Sequence, residues 1–190
     1  MAVKYQEGRP VGFATTGMYR RRRKNMSTNV KQPTYIREIE LRYKKKKVKS
    51  DAPVNGPLTD PQMVFDMFSD LQNEAKEKLI TISLDTKLKI ICFEVVALGS
   101  VNAVHTRPIE AIRGAIPLNP YGIIIVHNHP SGDPNPSSGD EKFTRNLLIN
   151  TKSLGLEFYD HIIIGDGTYF SFTESGLMQR LKSDLDMLPI

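Results

Sequence analysis

Four consecutive β-branched apolar residues, Ile123-Ile124-Ile125-Val126, run straight into His127-Asn128-His129-Pro130. An apolar run without alternation fits a strand covered on both faces, which requires packed layers on either side of it. Strand side chains alternate with period two, so His127 and His129 leave the same face together. Two unpaired imidazoles buried side by side are costly unless something satisfies them, and a shared cation does so when both rings are neutral. Pro130 then stops the ladder, because it has no N–H to donate. A Pro/Gly/Ser loop over residues 131–136 returns the chain to a helix start at Ser137 to Glu141, with Asp140 in the first turn.

Two histidine nitrogens and one carboxylate oxygen, from His127, His129 and Asp140, form a three-ligand set. Zn2+ is its natural occupant, at about 2.0–2.2 Å. Three protein ligands leave one position for water, as catalytic rather than structural sites do, and zinc lowers that water's pKa to about 7. Iron or manganese tolerates the same ligands. Part of the pattern also has a metal-free explanation. A carboxylate near a helix N-terminus is favoured by the macrodipole, and Ser138 with Glu141 fits a capping box.

The remaining pattern mixes strands and helices. Asp60-Pro61 reads as a helix start, an N-cap carboxylate before proline at the first helical position. Val64, Phe68, Leu71 and Ala75 follow at helical spacing and predict one buried face. LITISLD and KIICFEVVAL read as two strands joined at Thr86-Lys87, and residues 107–117 as a short helix. A helix is expected from about Ser138 to Ser153, stopped at Gly155. FYDHIIIGDGTYFSF reads as a hairpin turning at Asp166-Gly167, followed by an amphipathic segment over roughly 174–185. Such a mixture argues for an α+β fold or a three-layer α/β/α sandwich.

Charge divides the chain. Residues 1–50 hold 15 Lys/Arg against 3 Asp/Glu, a local net of +12, whereas the other 140 residues hold 11 against 18, a net of −7. Residues 1–58 are expected to form a basic arm with one short alternating strand, YIREIELRY, and a linker; residues 59–190 form the compact domain. The arm's clusters, Arg20, Arg21, Arg22, Arg23, Lys24 and Lys44, Lys45, Lys46, Lys47, suit a polyanion, most commonly nucleic acid. The alternative is a solvated tail that binds nothing specific. No run of 18 apolar residues is present, so no membrane partner is expected. The start, MAVKYQEGRP, lacks a secretory apolar stretch, and the lone Cys92 reads as a small buried hydrophobe. A cytoplasmic location is expected.

The spacing His127-x-His129-Pro130, six residues, Ser137-x-x-Asp140 resembles the JAMM motif of JAB/MPN metallopeptidases at every position. The wider VHNHPSGDPNPS, with DHIIIGDGTYFSF downstream, resembles the RadC-type branch of that superfamily, over about residues 59–175. The resemblance implies a cytidine-deaminase-like α/β/α sandwich with a mixed sheet. It also implies a glutamate at the first strand that accepts a proton from the metal-activated water. Glu77 is the candidate, because EKLITISLDTK resembles the family's strand opening; Glu74 and then Glu94 are the rivals. Ser137 matches the motif serine, whose implied role is to donate a hydrogen bond to an oxyanion or to the activated water. His161 reads as a hydrogen-bonded structural histidine or as one that orients groups beside the site. His105 lies in a stretch resembling a RadC-type one that carries no firm role.

The resemblance implies a zinc-dependent hydrolase of amide or isopeptide bonds in an unknown protein or peptide. The family's name suggests DNA repair or mobile-element biology. The alternative is a DNA-associated accessory protein with a structural or vestigial metal site. The usual RadC-type helix–hairpin–helix region is replaced by the basic arm. A nucleobase deaminase is excluded, since that chemistry needs H-x-E and P-C-x-x-C.

Overall fold

The computed structural model describes Glu40, residues 42–45, residues 56–99 and residues 107–187. The strand expected over YIREIELRY lies outside these residues, save for Glu40, Arg42 and Tyr43, which are exposed and belong to no strand. The cluster Arg20 to Lys24, Lys46, Lys47 and His105 also lie outside them.

Asp60 caps helix α1 (Pro61–Phe68) as expected, accepting from the Gln62 amide at 2.7 Å. The helix is shorter than its spacing predicts. After Phe68 the chain tightens into a 3-10 turn, Ser69–Asn73, so Val64 and Leu71 are buried but Ala75 is exposed. The chain must straighten there to enter strand β1 (Lys78–Leu84). Strand β2 (Ile90–Leu98) returns antiparallel through a turn in which the Asp85 carboxylate accepts from the Lys87 and Lys89 amides.

The helix predicted over 107–117 is helix α2 (Pro108–Ile112), followed by a 3-10 turn, Ile116–Leu118. Strand β3 (Gly122–Asn128) leads into helix α3 (Ser138–Ser153), which ends at Leu154 before Gly155 at φ +64°. Strands β4 (Glu157–Ile164) and β5 (Tyr169–Ser171) form the expected antiparallel hairpin, with Gly167 at φ +64° in the turn. Helix α4 (Leu177–Asp186) closes the described chain. None of the described helices is long and apolar enough to cross a membrane.

The five strands form one mixed sheet in the order β2-β1-β3-β4-β5, with β3 and β4 parallel and the other pairs antiparallel. Strand β3 lies at its centre, buried at every residue. Its alternate residues feed two separate cores. Ile123 and Ile125 pack with Ala111, Ile112, Leu147, Met178 and Leu181 from α2, α3 and α4. Ile124 and Val126 pack with Val64 and Leu71 on the α1 side. Each buried Ile, Leu, Val or Met among them stabilises the fold by about 1.5–3 kcal/mol. The apolar run is therefore covered on both faces, and its C-terminal end carries His127 out of the core. Thr81 ties α2 to the sheet by donating to the Ala111 carbonyl at 2.6 Å.

Candidate metal site

His127 is the penultimate residue of β3, and the strand's parity gives its ring to the α3 side of the sheet, with Ile125. His129 lies just beyond the strand, its amide donating to the Ile164 carbonyl at 3.0 Å. The two rings leave the same face, as the spacing predicts, and their Nε2 atoms stand 3.0 Å apart. Asp140 reaches them from the first turn of α3, with Oδ1 3.3 Å from His127 Nε2 and Oδ2 3.5 Å from His129 Nε2. A tetrahedral ion with arms of about 2.0–2.2 Å has ligand–ligand edges of about 3.3–3.6 Å. The two imidazole–carboxylate separations match those edges, and the 3.0 Å between the imidazole nitrogens falls short of them. The ligand atoms all lie within 4.8 Å of one another, as a group that could hold one cation.

The loop that brings Asp140 back is held at both ends. Gly132, at φ +84°, donates to the His129 carbonyl at 3.0 Å and accepts from the Asp166 amide at 2.9 Å. The loop then presents the Asp133 carbonyl to His129 Nδ1 at 2.8 Å. A carbonyl only accepts, so His129 carries its proton on Nδ1 and turns an Nε2 lone pair toward Asp140. This is the outer hydrogen bond by which a metal-ligating histidine is normally oriented.

Ser137 is the N-cap of α3. Its hydroxyl donates to Asp140 Oδ2 at 2.6 Å, its amide donates to the same oxygen at 2.7 Å, and its Oγ accepts from the Asp140 amide. The capping box is therefore Ser137 with Asp140, one residue earlier than the Ser138 and Glu141 pairing. The box leaves Asp140 Oδ1 as the oxygen nearer His127, so helix capping and carboxylate aiming are one interaction.

Electrostatics match this arrangement. Burial alone would raise the Asp140 carboxyl, but the His127 and His129 rings, when they take up a second proton, and the Ser137 hydroxyl outweigh it and hold the group far below the usual carboxylate range. Burial works against a charged His129 ring, yet Asp140, the Asp133 carbonyl and Glu77 prevail and raise its pKa. Protons and a metal compete here for the same lone pairs.

Glu77 is half-buried immediately before β1. Leu79↔His127 is the last pair of the β1–β3 register, and Glu77 lies two residues before Leu79, near enough for its charge to act on His129. Its rivals are engaged elsewhere: Glu74 is paired with Lys78, and the Glu94 carboxylate lies over Gly114.

Asn128, between the two histidines, went unread in the sequence. It is fully buried on the opposite side of β3. Its Oδ1 accepts from the Lys78 amide at 2.8 Å and its Nδ2 donates to the Lys76 carbonyl at 3.3 Å, clasping the segment that carries Glu77. His161, on β4, is also buried and lies beside His127, with His127 Nδ1 and His161 Nε2 2.8 Å apart. Burial, and then the neighbouring His127, push its pKa well below the ordinary imidazole value.

Residues 58–177, which contain every one of these side chains, match the family model described as a RadC-like JAB domain. The chain belongs to that family. The RadC-like JAB domain is 41% identical over 121 residues to a UPF0758 protein of Aquifex aeolicus, covering 64% of this chain and 52% of that one. It is 42% identical over 123 residues to one from Methanosarcina mazei, covering 64% and 54%. A third, from Trichlorobacter lovleyi, is 45% identical over 121 residues, covering 63% and 53%. The chain thus spans about half the length of the curated relatives it matches.

Proposed function

We propose that this RadC-like JAB domain is a metal-dependent hydrolase of amide or isopeptide bonds in a protein or peptide, with zinc as its metal. The observation that carries the reading is the convergence of two imidazole nitrogens and a carboxylate on one partly open point. The side chains of His127, His129 and Asp140 are 5%, 14% and 20% exposed, so the site is lined by protein yet open toward Asp140. A bound zinc supplies Lewis-acid polarisation of a carbonyl and an acidified water. Glu77 would accept a proton from the attacking water and return it to the leaving amine, a role supported by its place two residues before Leu79, the strand partner of His127. Ser137 keeps Asp140 aimed; for the motif serine's donation to an oxyanion, its hydroxyl proton would have to turn from Asp140 Oδ2 to the substrate.

The finer architecture follows the same reading. Helices packed against both faces of the sheet support a three-layer α/β/α sandwich, with residues 59–190 as the catalytic domain and 1–58 as a basic arm. The charge division favours a second reading, a DNA-associated accessory protein whose arm meets phosphate and whose metal site is structural.

Glu77→Gln tests the hydrolase directly on zinc-loaded chain, against peptides and isopeptide-linked substrates. It is expected to keep the wild-type zinc content while losing about 10²–10⁴-fold in rate. An equal rate in variant and wild type would remove Glu77 from the mechanism. A zinc-loaded wild type that cleaves none of the substrates would leave the second reading in front.

A further inference from the structure

The histidine ligand at the end of β3 is held in one tautomer by groups that make no contact with the metal point. Thr144 Oγ1 lies 2.7 Å from the Asp140 carbonyl oxygen, one helical turn back on α3, and 2.6 Å from His161 Nδ1. The carbonyl cannot donate, so the threonine hydroxyl spends its single proton there. Thr144 Oγ1 must then accept from His161, which puts the His161 proton on Nδ1 and leaves Nε2 bare. That bare nitrogen stands 2.8 Å from His127 Nδ1, which must in turn carry a proton. His127 Nε2 is then unprotonated and faces Asp140 and His129.

The chain is enclosed and its central ring is fixed. Thr144 is fully buried, and His161 is 1% exposed. The His161 ring stacks on Phe172, with centroids 4.8 Å apart and planes 17° from parallel, and Phe143 meets it edge-on. The direction of each hydrogen bond in the chain is set by the backbone carbonyl at its end. His129 reaches the same result in one step, through the Asp133 carbonyl.

We infer that Thr144 and His161 are positioning residues that hold His127 in the tautomer able to bind a metal, by an oriented hydrogen-bond chain anchored on the Asp140 carbonyl. The inference rests on the metal-site reading for its purpose but not for its geometry. It also makes Asp140 serve both histidines, through its carboxylate at the site and through its carbonyl behind it.

The test joins nitrogen-15 NMR of the histidine rings to zinc affinity. In the metal-free wild type at mildly alkaline pH, His161 is expected to carry its proton on Nδ1, with Nε2 bare. Thr144→Val keeps the side-chain shape but removes the acceptor. The His161 proton should then move to Nε2, driving the His127 proton onto its own Nε2. Zinc affinity should fall about 10–100-fold, and Thr144→Ser should restore it to within a few-fold of wild type. Circular dichroism and thermal unfolding of Thr144→Val should show the fold retained. A wild-type His161 proton on Nε2, unchanged zinc affinity in Thr144→Val, or equal losses in Thr144→Val and Thr144→Ser would each overturn the inference. A wild type that binds no zinc would overturn the hydrolase reading instead, while the His161 proton position in the metal-free chain would still decide this one.

Discussion

Asp140→Ala is expected to abolish zinc binding and, separately, to weaken the start of α3. The carboxylate supplies one of three ligands, so its loss should exceed the about 10–100-fold that follows loss of a supporting partner. It also accepts from the Ser137 amide and hydroxyl, so alanine leaves two donors of the cap without their oxygen. The Ser137 Oγ bond to the backbone amide of residue 140 survives, so half of the capping box is lost, at about 0.5–1.5 kcal/mol. Asp140→Asn separates the two effects. It retains an oxygen for the cap but lacks the charge that the site uses, so it should unfold near the wild-type temperature without metal and still fail to hold zinc. Equilibrium dialysis beside thermal unfolding of metal-free chain checks both. Zinc retained by Asp140→Ala at wild-type affinity would remove Asp140 from the ligand set.

Gly165→Ala should be among the most damaging single-methyl changes near the site, although Gly165 touches no ligand. It follows the last residue of β4, where the loop after His129 crosses. A β-carbon there would collide with the Gly132 carbonyl oxygen and lie 2.8 Å from Pro134 Cδ and 3.0 Å from Pro134 N. Neither obstacle is a flexible side-chain end, so the loop itself must shift, at a cost of about 1–3 kcal/mol. For a chain of this size that lowers Tm by several degrees, at about 2–4 °C per kcal/mol. The displaced segment carries the Asp133 carbonyl that orients His129, so zinc affinity should fall with stability. Gly155→Ala is the control. Nothing lies within 4 Å of a β-carbon there, so its effect comes only from φ +64° and should leave zinc affinity unchanged. Equal zinc affinity in Gly165→Ala and wild type would show that the loop does not govern the ligands.

Much of this was legible in the sequence, for definite reasons. Ile123 to Val126 announced a strand buried on both faces because no polar residue interrupts it, and the two cores divide those four residues by parity. The period-two spacing placed His127 and His129 on one face, and Pro130 and Gly132 marked the loop that returns Asp140. Asp60-Pro61 announced the start of α1, but nothing local marked its early end. Ala75 kept the helical spacing while the path into β1 overrode it. Asn128 and Thr144 were silent because their partners lie 50 and 17 residues away, and a polar residue inside a strand or helix does not reveal which backbone it will meet. His161 was visible as a histidine beside an apolar run, yet its direction of donation depends on a carbonyl of another element. Gly165 gave no signal of its own, since its need for glycine comes from the crossing loop.

Whether His127, His129 and Asp140 hold a metal ion is decided by the zinc content of the purified chain. The chain would be stripped with a chelator, dialysed against zinc, dialysed again without it, and measured by elemental analysis. A single zinc ion retained per chain is expected. A chain that retains none after the second dialysis would contradict a metal site there.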